Sequence, residues 1–200
     1  HKEYRRQRQM CIRDRFTALS SGDTHTCGLS SLHTVWCWGN NQLFQLGTGY
    51  NRSNQSEPVQ VAGDDLYQSI EAGGSGTCAI TISESISCWG SPGIGGSSIP
   101  QVYYQLQRKE PRVFLGNFFF CALYSSDISC SGDSRWIQSN NDSVNLWALR
   151  DYSFTLIAPA AYTVCGLTPG GAAWCWGKGS EGQLGNGEYV ASSARPVSVN

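Results

Sequence analysis

Eight of the nine cysteines in this 200-residue chain form a pattern. They fall into the pairs Cys27/Cys37, Cys78/Cys88, Cys121/Cys130 and Cys165/Cys175. Three pairs enclose nine residues and the third pair encloses eight. Thiols at regular spacing point to metal ligation or to disulfides. Structural zinc sites set their cysteines close together, with about two to four residues between them. Eight or nine intervening residues suit a bridge across two neighbouring strands better. Eight cysteines allow 105 connectivities, but one local spacing used four times favours the local pairing. The spacing therefore favours four disulfides over a zinc site or buried free thiols. Each closes a loop of about eleven residues, which stabilises by roughly 2.5–3 kcal/mol in the chain-entropy model. Four together contribute on the order of 10 kcal/mol, comparable with the net stability of a whole domain.

Other chemistry is sparse. The histidines are His1, His25 and His33. His25 stands two residues before Cys27, but the matching positions of the other pairs hold Gly76, Phe119 and Thr163, so no ring of imidazoles can gather a metal. His25 reads as a structural, hydrogen-bonded residue. Asp23 and Asp133 lie beside Gly turns and read as Asx-turn residues. The sequence contains no paired carboxylates and no nucleophile elbow. Gly93-Ile94-Gly95-Gly96 runs into Ser97-Ser98-Ile99-Pro100, which is no phosphate-binding helix start. No catalytic residue, metal ligand or cofactor is expected. Asn51, Asn54 and Asn141 head Asn-x-Ser sequons in polar stretches, where a glycan acceptor has to lie. Sequons together with paired cysteines point to the secretory route, where disulfides persist.

The elements that must position these residues repeat with them. The first cysteines of successive pairs are 51, 43 and 44 residues apart, a period characteristic of solenoids and propellers. Five residues before each first cysteine stand Gly22, Gly73, Gly116 and, as a departure, Ala160. Two residues past each second cysteine stand Gly39, Gly90, Gly132 and Gly177. Trp38, Trp89 and Trp176 fill the position between, where the third unit has Ser131. Gln45-Leu46-Gly47 and Gln183-Leu184-Gly185 match each other. Pro-x-Val elements follow at Pro58, Pro100 and Pro196. In Trp174-Cys175-Trp176 the two indoles share one face of a strand and the cysteine points to the other. Each cysteine pair thus brackets a hairpin, and about 45 residues of short strands with Gly punctuation suit one four-stranded blade. The repeating Trp36, Trp38, Trp89, Trp174 and Trp176 are expected to pack between blades. Trp136, Trp147, Tyr103, Tyr104 and Phe118-Phe119-Phe120 lie off the pattern and are candidates for an exposed binding patch.

With these residues aligned, the chain resembles the regulator of chromosome condensation repeat. The resemblance rests on Gly22-x-x-His25-x-Cys27-Gly28-Leu29, Trp36-Cys37-Trp38-Gly39-Asn40-Asn41, Gln45-Leu46-Gly47-x-Gly49 and Gly182-Gln183-Leu184-Gly185-Asn186-Gly187. It implies an all-β propeller, in that family usually of about seven blades. The paired cysteines are similar to those of crinkly-type plant receptor ectodomains and of secreted members. Four units, near residues 16–61, 62–102, 103–150 and 151–200, predict a partial β-propeller of about four blades, a fragment of a larger ring whose remaining blades would be partners in the full-length chain. The third unit lacks both Trp positions and is expected to lean hardest on its bridge, with Phe118-Phe119-Phe120 as partial compensation.

Composition narrows the function. Charged residues make up 14% of the chain, against about 25% in ordinary soluble domains, and the net charge is −1. That excludes a broadly basic nucleic-acid binder. The run Val113–Tyr124 is too short to span a bilayer, which takes about 20 residues. Residues 1–15 carry a charge of +4, leaving −5 for residues 16–200. This stretch has no apolar signal core and reads as a non-native tail, a processing or sequence-assembly remnant. The expectation is a non-enzymatic module, secreted or on a cell surface, that binds a protein or glycan through inserts at residues 40–57 and 132–150. A guanine-nucleotide exchange factor for a small GTPase, implied by the resemblance to the family's founding member, is the alternative.

Overall fold

A computed structural model of the chain describes residues 16–49, 52–91, 96–105, 112–117, 119–124, 127–132, 149 and 152–200. Their regular structure is β, in four antiparallel sheets. The first sheet contains β1 (Phe16–Ser21), β2 (His25–Ser30), β3 (Val35–Gly39) and β4 (Gln55–Gln60) in that order. The second runs β5 (Tyr67–Gly73), β6 (Gly76–Thr81), β7 (Ser85–Gly90) and β8 (Gln101–Gln105). The third has three described strands, β9 (Arg112–Leu115), β10 (Phe119–Tyr124) and β11 (Asp127–Gly132). The fourth runs β12 (Leu156–Pro159), β13 (Thr163–Leu167), β14 (Ala173–Lys178) and β15 (Ser192–Ser198). Each sheet is one meandering blade, and the chain is a partial β-propeller, as the repeat predicts. Two compact units result, the first holding β1–β8 and the second β9–β15.

The central hairpin of each blade carries its cysteines in register. Cys27 pairs with Cys37, Cys78 with Cys88, Cys121 with Cys130 and Cys165 with Cys175. All four are disulfides, with Cα atoms 4.0–4.1 Å apart. The repeated glycine after each Cys-Trp has a steric cause. Gly39, Gly90 and Gly177 have φ of +105°, +103° and +103°. A Cβ there would lie 2.5–2.7 Å from the carbonyl oxygens of Thr24, Ser75 and Tyr162, so both conformation and space demand glycine. Val59 and Val197 of the Pro-x-Val elements pair with Cys37 and Cys175, closing the first and fourth blades with their outermost strands.

The core of the first unit gathers Leu29, Val35, Leu46, Val61, Tyr67, Ile70 and Trp89 around the first bridge. That of the second gathers Phe119, Leu123, Leu149, Phe154, Ile157, Val164 and Trp176. Trp89 and Trp176 are fully buried, and Trp36 nearly so. Trp38 and Trp174 are half-buried, packing on Phe16 and Tyr152 with centroids 5.8 and 5.2 Å apart. The degenerate third blade fills its core by another route. Phe119 and Phe120 are each 1% exposed, where the other blades place smaller or polar side chains. Phe118 lies outside the described residues.

Candidate functional site

Within the first unit, a polar relay joins the first two blades. It starts from the loop after β3, where Asn41 Oδ1 accepts from Leu46 N at 3.0 Å and Gln45 Oε1 accepts from Leu43 N at 2.9 Å. These bonds fold Gln45-Leu46-Gly47 into a turn that presents the Gln45 carbonyl to the second blade. That carbonyl accepts from the Trp89 indole N–H at 3.0 Å and from the Thr77 hydroxyl at 3.0 Å. The Trp89 ring lies over Gly47, where a Cβ would fall 2.7 Å from Nε1.

The Thr77 oxygen also meets His25 Nε2 at 2.9 Å. A hydroxyl has one proton, and Thr77 gives it to Gln45, so His25 must donate from Nε2. Its Nδ1 is then an unprotonated, buried acceptor without a hydrogen-bond partner. Burial disfavours the imidazolium and lowers the His25 pKa from 6.5 to about 4, against a weaker raising effect of Asp23 and of the backbone at Gly76. At neutral pH His25 is therefore neutral, 3% exposed and structural, as the sequence suggests. The spacing also explains Gly22: a Cβ there would lie 2.4 Å from His25 Cε1, as a Cβ at Gly116 would lie 2.6 Å from Phe119 Cε1.

A second feature of the first unit was not legible in the sequence. Leu32 at the tip of the β2–β3 hairpin, Leu66 just before β5 and Ile82 at the tip of the β6–β7 hairpin are 56%, 38% and 55% exposed. Backbone bonds lock their segments side by side. Ile82 N donates to Leu66 O at 2.9 Å and Tyr67 N to His33 O at 2.8 Å. His33 Nδ1 donates to Tyr67 O at 2.9 Å. Asp64 and Asp65 are exposed beside Leu66, and Glu84 follows Ile82. Burial, with the Asp65 charge, pushes the neighbouring Tyr67 phenol well above its usual range, so it stays protonated. Residues 53–107 contain five acidic side chains and no Lys or Arg, and three of the five, Asp64, Asp65 and Glu84, flank Leu66 and Ile82 in the chain, so the charges adjoining these two rim residues are of one sign. An apolar residue in a hairpin turn is the rim's only sequence signal.

Among the expected loop features, the part of 40–57 that the structure describes forms a braced surface. Arg52 lies 4.4 Å above the Phe44 ring, Leu43 is 42% exposed, and the Gln42 amide donates to Arg52 O at 3.0 Å. Asn54 is exposed, and its Oδ1 accepts from Asn41 N at 3.1 Å. Asn51, Asn141, Trp136, Trp147, Asp133 and nearly all of the 132–150 insert lie outside the described residues, as do the side chains of Tyr103 and Tyr104. Asp23 donates its backbone N–H to Gly74 O at 2.9 Å, a contact between the first two blades. Among the described residues no group of three or more His, Cys, Asp or Glu could hold a metal ion, and no helix is long and apolar enough to cross a membrane.

Comparison with known proteins follows this geometry. Two models of the regulator of chromosome condensation (RCC1) repeat match residues 33–80 and 16–45. The mitochondrial RCC1 domain-containing protein RUG3 of Arabidopsis thaliana is 27% identical over 192 residues, covering 84% of this chain and 43% of RUG3. The chain thus spans less than half the length of the curated relatives it matches. Prp20p of Saccharomyces cerevisiae superposes with a TM-score of 0.75 at 18% identity, over 92% of this chain and 50% of that one, a likeness of fold. The CRINKLY WD40 ectodomain of the Arabidopsis thaliana receptor kinase ACR4 superposes with a TM-score of 0.57 at 25% identity, over 82% of this chain and 56% of that one.

Proposed function

The chain belongs to the regulator of chromosome condensation repeat family of β-propellers, and from that premise we propose that it is a non-enzymatic, extracellular module that binds a protein partner through its exposed rim and loops. The observation that carries this reading is the Leu32–Leu66–Ile82 rim. Three large apolar side chains are held side by side in water by a rigid hairpin framework, and burying them is worth roughly 1.5–3 kcal/mol each. The acidic residues that flank Leu66 and Ile82 select the partner's chemistry, a segment that sets apolar side chains among Lys or Arg. The Phe44–Arg52 loop is a further contact surface, on which a glycan is the other class of ligand.

Four disulfides support an oxidising compartment. So does the ACR4 likeness, which is to a receptor ectodomain. Asn54 supports it too, since its side chain is exposed and uses Oδ1 for the fold, leaving Nδ2 for a glycan. Asn51 and Asn141 are proposed as acceptors on their sequons alone.

The test is titration of the purified chain with a labelled basic amphipathic peptide, followed by fluorescence anisotropy at low and high salt. The reading expects saturable binding that weakens with salt and falls by at least about tenfold in Leu32→Glu/Ile82→Glu. Binding that ignores both substitutions, or no binding to basic peptides of any apolar pattern, would overturn it. Expression through the secretory route adds an independent arm, in which Asn54→Gln should remove one glycan from the secreted protein.

A further inference from the structure

Between Phe16 and Gln107 the sequence holds one cation, Arg52, against six Asp or Glu, a net charge of −5. Its side chain is exposed. Among the described residues the guanidinium forms no ion pair and no hydrogen bond, although six carboxylates belong to the same stretch. It lies instead on the Phe44 ring, 4.4 Å from the centroid. The loop that carries this stack caps the joint between the first and second blades, through the Gln45 carbonyl and Trp89.

The ring stands where the turn favours glycine. Phe44 has a φ of +63°, in the left-handed region that costs a residue with a Cβ. The fourth blade builds the same turn on Gly182, at φ +77°. Gly182 N donates to Gly179 O at 3.0 Å and Gly182 O accepts from Gly185 N at 3.0 Å. Phe44 N donates to Asn41 O at 3.1 Å and Phe44 O accepts from Gly47 N at 3.0 Å. The turn therefore closes without an aromatic, and the ring answers to the guanidinium upon it. A second brace holds the arginine from its own backbone: the Gln42 amide donates to Arg52 O at 3.0 Å, and Gln42 N donates to Asn40 Oδ1 at 2.8 Å.

The remaining polar capacity around the stack is amide. Asn40 and Asn54 spend Oδ1 within the loop, which leaves their Nδ2 donors. Gln42 spends Nε2, which leaves Oε1 as an acceptor.

We propose that the Phe44–Arg52 platform is a binding site for a single carboxylate carried on an otherwise neutral glycan, an acidic sugar of the uronate class. A planar guanidinium with uncommitted N–H groups matches a carboxylate bidentately, and the ring beneath fixes its plane. The spare amide donors and acceptor match sugar hydroxyls, which both donate and accept. The net charge of the surrounding stretch disfavours a run of carboxylates, so an acidic peptide or a polyuronate meets repulsion at every charge but the one on Arg52. The inference rests on the reading of the chain as an extracellular binding module and names the ligand of its second surface.

Isothermal calorimetry on the full chain tests this, with protein exported to a bacterial periplasm, where disulfides form and Asn54 stays free of glycan. The probe is a tetrasaccharide of three neutral hexoses ending in glucuronate, and its control has that carboxyl reduced to the alcohol. The first should bind saturably and the second at least about tenfold more weakly, the loss of a charge-assisted pair. Arg52→Gln should bring the two sugars to equal, weak affinity. Phe44→Gly gives the turn the residue the fourth blade uses and keeps the fold, yet should weaken the acidic sugar about tenfold by removing the platform. A tetra-uronate should bind no tighter than the single-uronate sugar. Leu32→Glu/Ile82→Glu should bind the acidic sugar as the wild type does, so loss of sugar binding beside intact peptide binding at the rim sinks this site and leaves the module. Equal affinity of the wild type for the two sugars, a tetra-uronate bound tenfold tighter, or an acidic peptide bound more tightly than the sugar would overturn the inference.

Discussion

Acidification should loosen the joint between the first two blades through one residue, His25. Its Nε2–H is committed to Thr77, its Nδ1 is buried without a hydrogen-bond partner in the fold, and the burial cost of a second proton outweighs the help of Asp23 and the Gly76 backbone. In the unfolded chain the imidazole takes up a proton near its ordinary value of 6.5, whereas in the fold it does so at about 4. Between those values the unfolded state binds more protons, so stability falls as pH falls. The contribution of neutral His25 is complete above pH 6.5, declines through the window and is lost below about pH 4. At roughly 1.4 kcal/mol per pH unit, the separation corresponds to about 3 kcal/mol. Carboxylates titrate in the same range, and comparison with His25→Phe removes their contribution. Phenylalanine is the natural control, since Phe119 occupies the matching position of the third blade beside an equivalent glycine. Urea unfolding followed by tryptophan fluorescence, without reductant, would be measured at steps from pH 7.5 to 3.5 on both proteins. At pH 7.5 the variant should be less stable by about 1 kcal/mol, the worth of a lost hydrogen bond. By pH 4 the difference should have moved by about 3 kcal/mol in favour of His25→Phe. A difference constant across the range would refute the argument, because it would mean that Nδ1 meets water or a proton acceptor in the folded state.

Three further outcomes follow from the packing. Gly47→Ala and Gly185→Ala impose the same left-handed strain, about 1 kcal/mol each, but the first also drives a Cβ into the Trp89 ring, so it should lower the unfolding midpoint clearly more than the second. Trp89→Phe should cost about 1–3 kcal/mol in urea unfolding, since it strips the Gln45 carbonyl of its indole donor inside a closed joint. Cys130→Ser and Cys175→Ser open loops of nearly equal length, so each should lose roughly 2.5–3 kcal/mol through the unfolded state. The sequence puts the heavier reliance on the third blade's bridge, but Phe119 and Phe120 refill that core and Cys175 is more deeply buried than Cys130, so here the order reverses: the Cys175 serine should add the larger desolvation cost, which paired unfolding midpoints would reveal.

The blade order and the cysteine register were legible because both are local. A hairpin with a two-residue side-chain period and nine enclosed residues leaves two cysteines facing each other, whatever the rest of the chain does. The joint was half legible. Gln45-Leu46-Gly47 and Trp89 were visible as repeated words, but the pairing between them joins positions 44 residues apart, and nothing in either segment names its partner. The exposed rim was not legible at all. Leu32, Leu66 and Ile82 are lone apolar residues in polar turns, indistinguishable in sequence from scattered surface leucines. Only the backbone bonds from Ile82 to Leu66 and from Tyr67 to His33 put them together.

The repeat tolerates loss of its signature residues because position and chemistry are set by different groups. In the first blade Gly22 makes room for the His25 ring, and in the third Gly116 makes room for the Phe119 ring. In the fourth, the matching residue is Thr163, with no ring to house, and the preceding glycine is replaced by Ala160. Yet the same turn closes in all three: Gly22, Gly116 and Ala160 donate to the carbonyls of His25, Phe119 and Thr163 at 2.9, 2.9 and 2.8 Å. The glycine therefore answers to the ring it faces and to the next blade's backbone, since an added Cβ would also lie 2.7 Å from Gly74 O at Gly22 and 2.8 Å from Ala160 O at Gly116, and not to the turn. The third blade follows the same logic. Its disulfide keeps Cys121 opposite Cys130, so β10 and β11 hold the common register while Phe119 and Phe120 supply the apolar volume that tryptophans supply elsewhere. The cysteine pair, common to all four units, fixes the frame. The aromatic positions are free to move within it, because a packed core needs volume and shape and does not specify which strand delivers them.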